Sequence, residues 1–272
     1  MEKEQNMGRV IINKNKAVGK VIFVVEGKKD EFKLFTQVFE KILSFTVIKC
    51  RSEKTNLKEC VLPDNRDSVI FLINSNSSSL KSINETMYIQ KIFTKLNNHF
   101  KMDIYNSAIY FVWDRDREST NPDKVKNLVY PLFKKYYNAR DNEFEMQGLL
   151  LLSYPALESF IISCFENGQK EEKIENIKTY VTKNEYHFKK INETALICAA
   201  ETFLNRFEKI MEFKYNQAYV DTKMTEINST IFQKEEEYYE EHTFYYYFSC
   251  ILISLFDLGL LELEEGNELK VS

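Results

Sequence analysis

The stretch that decides the fold is Val21–Val25, with the sequence VIFVV, which is followed directly by Glu26 and Gly27. Five consecutive apolar residues without polar alternation are typical of a strand that is covered on both faces, as in a parallel α/β sheet. Apolar residues then recur at helical spacing from Asp30 to Leu43. The sequence therefore predicts a strand, a tight turn at Gly27 and a helix.

The same alternation continues along the first 165 residues. Further strands are predicted at Phe45–Lys49, Val69–Ile73, Ala108–Trp113 and Leu149–Leu152, with helices at Thr86–Phe100 and Val125–Tyr137. Strands that alternate with helices indicate an α/β fold, with a mainly parallel sheet flanked by helices. The chain has only seven Gly and four Pro, which argues against a sandwich or propeller of many short strands.

Beyond residue 165 the pattern changes to long amphipathic stretches without an evident strand pair. These stretches are Ile174–Phe188, Thr194–Phe213 and Ile227–Leu261. We therefore divide the chain into an α/β domain of residues 1–165 and an α-helical C-terminal domain of residues 166–272. Phe244–Phe256 is more apolar than a small surface helix needs, so a homodimer that buries it stays open beside a monomer.

The composition is that of a globular protein, with 44% hydrophobic and 29% charged residues, which excludes disordered and collagen-like chains. The five cysteines are spread widely without a CxxC pair, which favours reduced thiols and no structural zinc. The first ten residues lack the pattern of a secretory signal, and no apolar run reaches the ~20 residues that span a bilayer. We expect a cytoplasmic protein with no membrane-spanning segment.

Three of the predicted strands are followed by carboxylates. Glu26 follows the first strand, Asp114 and Asp116 follow the strand at Ala108–Trp113, and Glu158 follows the last strand. Ligands of an open α/β sheet bind outside the carboxyl ends of its strands, so these acids are predicted to converge in one crevice. Residues two apart on an extended segment face the same way, so both aspartates can serve one site.

Carboxylates that converge repel one another, and a bound cation removes this repulsion. Oxygen ligands with no cluster of His or Cys nearby fit Mg²⁺ or Mn²⁺, and such an ion can activate water for phosphodiester hydrolysis. The predicted metal ligands are Glu26, Asp30, Asp114, Asp116 and Glu158. Asp30 has a second explanation as an acid in the first turn of a helix, and the segment around Asp114 could instead be an exposed charged loop.

Basic residues stand beside the acids. Those predicted to hold phosphates of a nucleic acid are Lys28, Lys29, Arg115 and Arg117. Between residues 235 and 272 there are ten acids and one lysine, so the rest of the chain is mildly basic despite a net charge of −4. This charge balance permits a polyanionic substrate, while the alternative for the lysines is an ordinary solvated helix face.

Together, the segments VIFVVEGKKDEF and AIYFVWDRD resemble the toprim family, whose signature is a glutamate after the first strand and a DxD after a later one. The resemblance covers about residues 18–160. It implies a parallel four-stranded toprim core that uses Mg²⁺, with Glu26 as metal ligand or general acid/base. It also implies that Asp114 and Asp116 are catalytic metal ligands.

A third segment, LLLLSYPALESF, is similar to stand-alone toprim proteins of anti-phage systems, such as the overcoming-lysogenization-defect nucleases and PARIS-type effectors. That resemblance implies a ribonuclease that cleaves host tRNA as the toxic effector of an abortive-infection system. It also implies a partner, an ABC-type ATPase sensor subunit that holds the nuclease inactive. The chain has no GxxxxGK[ST] loop, so a nucleotide-driven switch would belong to that partner.

Three other functions compete with this one. The first is a DNA nuclease of the overcoming-lysogenization-defect type. The second is a DxD glycosyltransferase that holds a nucleotide-sugar through Mn²⁺, which explains Asp114 and Asp116 but leaves Glu26 without a role. The third is a non-catalytic interaction module whose helical half binds a partner.

Overall fold

The computed structural model describes residues 9–27, 30–48, 57–75, 80, 83, 86–100, 106–115, 122–140, 148–166 and 173–264. The strands are β1 Arg9–Ile12, β2 Lys20–Val25, β3 Thr46–Ile48, β4 Leu57–Leu62, β5 Asn65–Asn74, β6 Ser107–Asp114, β7 Tyr137–Asn138, β8 Gly148–Tyr154, β9 Phe248–Ser249 and β10 Leu261–Glu264. The helices are α1 Asp30–Thr36, continued by a π-helical segment Gln37–Ile42, then α2 Thr86–Phe100, α3 Pro122–Lys135, α4 Glu158–Phe165, α5 Ile177–Lys183, α6 Glu193–Met211, α7 Gln217–His242 and α8 Ile251–Asp257, with a 3₁₀ turn at Phe188–Lys190.

The main sheet is mixed, with a parallel centre. Its strand order is β3-β4-β5-β2-β6-β8-β7, and β9 also pairs with β8. Strands β5, β2, β6 and β8 run parallel to one another, whereas β3, β4, β7 and β9 are antiparallel to their neighbours. The prediction of an α/β fold with a mainly parallel sheet flanked by helices is confirmed at this level.

The strand, turn and helix predicted from VIFVV are present. All five residues of Val21–Val25 are fully buried, because β2 lies between β5 and β6. The ring of Phe23 packs 4.9 Å from that of Phe35 in α1 and 4.9 Å from that of Tyr110 in β6. Aromatic contacts of this kind hold the helix against the sheet, and so fix where the turn after β2 lies.

The C-terminal part contains the helices α5–α8, together with two short strands that the sequence did not predict. The stretch Ile227–Leu261 is not one helix, because α7 ends at His242 and is followed by β9, α8 and β10. Ser249 of β9 pairs with Ser153 of β8, and β10 forms a separate antiparallel sheet with β1. One buried core contains residues from both sides of position 165, so the two predicted domains share their hydrophobic interior.

The apolar residues that suggested a homodimer are used inside the chain. Phe248 and the six residues Ile251–Phe256 are each at most 6% exposed. Phe248 stacks on Phe203 of α6, with ring centroids 5.1 Å apart. The excess of apolar side chains there is thus explained by packing within one chain, and it no longer argues for a dimer.

Among the described residues, every helix is too short or too polar to span a lipid bilayer.

Candidate active site at the carboxyl ends of the parallel strands

The predicted acids meet at one edge of the sheet. Glu26 directly follows β2, Asp114 is the last residue of β6, and Glu158 begins α4 four residues after β8 ends. These three strands are parallel neighbours in the order β2-β6-β8. After β2, the chain forms β3, β4 and β5 on one side of β2 in the sheet, and then crosses to form β6 on the other side. The order in which strands are added therefore reverses at β2. Such a reversal is where open α/β sheets bind their ligands.

Glu26 and Asp114 are in direct contact, although 88 residues separate them. The backbone N–H of Asp114 donates a hydrogen bond to Oε2 of Glu26 at 3.0 Å. The backbone of Glu26 is fixed as well, because its N–H donates to the carbonyl of Val112 at 3.2 Å and its carbonyl accepts from Oγ of Ser75 at 3.2 Å. The sheet therefore brings Glu26 and the first aspartate of the predicted DxD together.

The carboxyl group of Asp114 lies among other acids. Its pKa is raised well above the usual range, first by burial and then by the negative charges of Glu26, Glu158 and Glu31. A hydrogen bond from the backbone N–H of Leu157 opposes the rise. Glu26, Glu158 and Glu31 are therefore close enough to Asp114 for their negative charges to disfavour its ionisation.

Glu31 belongs to the cluster, although it was not among the predicted ligands. Its carboxylate lies over Gly27, where an added Cβ would come within 2.8 Å of Cδ of Glu31. The N–H groups of Gly27 and Glu31 itself hydrogen bond to this carboxylate, but burial has the larger effect and raises its pKa. One feature of the sequence could have indicated this contact: Gly27 stands four residues before Glu31, which lies in the first turn of a predicted helix.

Glu158 and Asp30 differ in their surroundings. Glu158 is half-buried, and burial raises its pKa, while nearby Lys178 lowers it and Asp30 raises it. Asp30 is exposed and pairs with Lys33 at 3.2 Å, so it occupies the position of a solvated acid in the first turn of α1. Asp30 is therefore at the margin of the cluster, consistent with the capping alternative.

Arg115 is buried, which corrects its predicted role as a residue that holds phosphates of a nucleic acid. The side chain is 1% exposed, and its Nε and a terminal nitrogen donate to the two carboxylate oxygens of Glu236 at 2.8 and 3.0 Å. The hydroxyl of Tyr245 donates to the same Glu236 at 2.8 Å. Arg115 instead ties the end of β6 to α7. The predicted residues Lys28, Lys29, Asp116 and Arg117 lie outside the described residues.

The chemistry of the described acids suits a hard cation, because every candidate donor is a carboxylate oxygen. Within the described parts of the chain, no group of three His, Cys, Asp or Glu residues is arranged to hold a metal ion. The second aspartate of the motif, Asp116, is not among them. Glu26 and Asp114 are thus the two described residues that combine mutual contact with the predicted position at the strand ends.

No protein-family model, no curated protein and no solved structure matches this chain.

Proposed function

We propose that this protein is a nuclease that depends on a divalent metal and hydrolyses phosphodiester bonds at the carboxyl ends of β2 and β6. The observation that carries the proposal is the hydrogen bond from the N–H of Asp114 to Oε2 of Glu26. This contact supports the proposal because it joins the glutamate to the first aspartate of the DxD, each weak evidence when alone, at an edge of the kind where open α/β sheets bind ligands.

The acids have separate roles under this proposal. Asp114, Asp116, Glu26 and Glu158 would hold Mg²⁺ or Mn²⁺. The ion, when bound, supplies an activated water and stabilises the leaving oxygen of the phosphodiester. Glu31, whose pKa is raised by burial, would exchange a proton with water at the site. Gly27 lets the Glu31 carboxylate approach the turn.

The identity of the substrate and partner rests on the sequence resemblance. By that resemblance the substrate is RNA, in particular host tRNA, and the nuclease is the toxic effector of an anti-phage abortive-infection system. An ABC-type ATPase sensor subunit is the proposed partner that keeps it inactive. Cleavage of DNA, as in the overcoming-lysogenization-defect nucleases, is the alternative within the same chemistry.

The two competing functions explain less of the site. A DxD glycosyltransferase needs Asp114 and Asp116 but gives no role to Glu26, whose side chain contacts Asp114. An interaction module gains nothing from half-buried Glu26, Glu158 and Glu31 around Asp114, because the repulsion that raises the pKa of Asp114 and the burial of charge both lower stability. Perturbed carboxylates in a crevice are more typical of active sites.

The test is cleavage of total tRNA and, separately, of supercoiled plasmid, with Mg²⁺, with Mn²⁺ and with EDTA. We expect metal-dependent cleavage of tRNA that falls by about 100-fold or more in Glu26→Gln and in Asp114→Asn. Asp67→Asn is the matched control, since Asp67 is an exposed acid near the opposite end of β5. Cleavage that persists in EDTA, or equal activity of Glu26→Gln and wild type, contradicts the proposal.

Because the proposed partner ATPase keeps the nuclease inactive until its trigger is present, a second measurement is made in cells. Wild type and Glu26→Gln are expressed in cells together with the partner ATPase and its trigger, and cell survival is counted. We expect the wild type to be toxic and Glu26→Gln to be harmless at equal protein level. Equal toxicity of the two would remove Glu26 from the mechanism.

A further inference from the structure

A cavity of ≈ 450 Å³ opens directly beside Asp114. Its walls are Asp114, Pro155 and Ala156 at the strand ends, the segment 173–178 before and at the start of α5, and the segment 239–247 where α7 ends. A volume of this size accommodates a small organic ligand such as a nucleotide. The cavity shares Asp114 with the acid cluster, so an occupant would adjoin that site.

Aromatic rings form one side of the cavity. The rings of Tyr245 and Tyr247 are buried and fixed by their hydroxyls, since Tyr245 donates to Glu236 at 2.8 Å and Tyr247 accepts from the N–H of Ile174 at 2.6 Å. Tyr239 and Phe244 line the same side but are only half-buried, which leaves ring surface facing the cavity. Flat aromatic surface of this kind stacks on nucleobases.

The lining of the cavity also carries positive charge. Lys173 and Lys178 line it and are exposed, and the charge of Lys178 acts on Glu158 of the acid cluster. Glu175, also exposed, is the acid between them. Lysines and aromatic rings in one lining match a ligand with a flat apolar part and a phosphate, because phosphates bind cations and bases bind ring faces.

The aromatic wall is built on an unusual backbone. Thr243 and Tyr247 have φ angles of 65° and 56°, in the left-handed region that residues other than glycine rarely adopt. A β-branched residue such as Thr243 is especially strained there. Strain of this kind persists where the surrounding structure enforces it, and it concentrates at ligand sites.

From the position, lining, charge and strain of this cavity, we infer that it binds an unpaired nucleobase of single-stranded RNA, next to the phosphodiester at the acid cluster. The inference rests on the proposed function, because that function identifies the ligand of the neighbouring acids. Duplex RNA is excluded from such a site, since a paired base keeps its ring faces stacked inside the helix. The cavity thus selects unpaired segments of a folded RNA.

The test measures binding to a fluorescein-labelled, unstructured RNA 12-mer and to the same strand in a duplex, by fluorescence anisotropy. All proteins carry Glu26→Gln and the buffer contains EDTA, so the strand is not cut during the measurement. We expect tighter binding of the single strand, weakened by about fivefold or more in Phe244→Ala and restored in Phe244→Trp. Tyr219→Ala is the matched control, because Tyr219 is an exposed aromatic residue outside the cavity.

Lys178→Gln gives a second route that does not alter the aromatic wall. The difference in RNA affinity between Lys178→Gln and its parent should become smaller as the salt concentration rises, because the lysine would bind a phosphate of the RNA by charge attraction. The inference is overturned if Phe244→Ala, Tyr239→Ala and Lys178→Gln all bind the single strand like the parent protein while circular dichroism shows each to be folded. It is also overturned if the duplex binds as tightly as the single strand.

The two proposals fail in different ways. If Glu26→Gln cleaves as well as wild type but Phe244→Ala loses binding, the base pocket stands and the proposed catalysis fails. If Glu26→Gln is inactive, but the cavity variants bind like their Glu26→Gln parent and, made without Glu26→Gln, cleave like wild type, the nuclease stands and the base pocket fails.

Discussion

Gly27 and Glu31 occupy the same small space at the turn after β2. The Glu31 carboxylate lies where a side chain at position 27 would begin, and it accepts a hydrogen bond from the N–H of Gly27. Any larger residue at position 27 must therefore displace the acid. The glycine is needed here because of a close approach, rather than because of a left-handed backbone.

We predict that Gly27→Ala keeps the fold but lowers metal-dependent cleavage by about tenfold or more, because the carboxylate of Glu31 is displaced. The free energy of unfolding should change by less than about 1 kcal/mol, since the obstructing atoms are the end of a flexible side chain. The measurements are urea unfolding and the initial rate of tRNA cleavage.

Glu31→Ala is the background that isolates this effect. Once the carboxylate is removed, Gly27→Ala should cost no further activity, so the two changes are non-additive. Equal losses from Gly27→Ala in both backgrounds would show that the turn itself, and not the position of Glu31, is disturbed.

At the residue scale, the sequence could predict those site residues whose position follows from a strand end. Glu26 and Asp114 are of this kind, because a continuous apolar run shows where each strand stops. Arg115 is not, since its partner Glu236 lies 121 residues away and nothing near Arg115 in sequence marks it as buried. Its two acidic neighbours instead suggested an exposed charged turn.

At the scale of elements, burial on both faces made the parallel strands β2, β5, β6 and β8 predictable as apolar runs. Strand β4 was missed because its buried positions, Leu57, Cys60 and Leu62, do not alternate regularly. Strands β9 and β10 are short, and each pairs with a strand far away in sequence. The end of α7 was missed because apolar residues continue beyond it.

Helices α6 and α7 both end on a residue in the left-handed region, Glu212 with φ 63° and Thr243 with φ 65°. We predict that glycine at either position raises the free energy of unfolding by up to about 1 kcal/mol, because glycine adopts this backbone without steric cost. Differential scanning calorimetry should show a higher melting temperature for Glu212→Gly and for Thr243→Gly.

The two variants should differ in binding. Thr243 lines the cavity beside Asp114 and Glu212 does not, so Thr243→Gly should weaken binding of the RNA 12-mer while Glu212→Gly leaves it unchanged. A lower melting temperature for both variants would contradict the prediction. It would mean that the side chains of Glu212 and Thr243 stabilise the helix ends more than the relaxed glycine backbone does.

At the scale of the whole molecule, α7 places two adjacent acids in the interior, Glu235 at 0% and Glu236 at 1% exposure. Glu236 is bound by Arg115 and Tyr245. Glu235 accepts a hydrogen bond from the N–H of Tyr246 at 3.1 Å, but its other carboxylate oxygen is buried without a hydrogen bond. Burial raises the pKa of Glu235 to about 8, against partial opposition from that N–H and Arg206.

This pKa predicts how stability depends on pH. Below pH 4.5 the carboxyl is protonated in both states, and above pH 8 it is ionised in both. Between these values the folded protein binds more protons than the unfolded chain, so the contribution of Glu235 to stability is lost as pH rises. We expect the free energy of unfolding to fall by up to a few kcal/mol across this window.

Urea unfolding at pH 5, 6.5 and 8 measures the slope, and Glu235→Gln should flatten it because the amide does not titrate. Glu237→Gln, an exposed neighbour on the same helix, is the control and should retain the wild-type slope. A slope that is the same in Glu235→Gln as in wild type would assign the pH dependence to other groups.

The ion pair between Arg115 and Glu236 also bears on when the proposed active site can form during synthesis. Until α7 has been synthesised, Arg115 has no Glu236 to neutralise its charge, and an unpaired buried guanidinium strongly opposes packing of the end of β6. We therefore expect the end of β6, with Asp114, to pack only late in translation. If the proposed cleavage of tRNA is correct, incomplete chains would stay inactive against the tRNA that the ribosome is using.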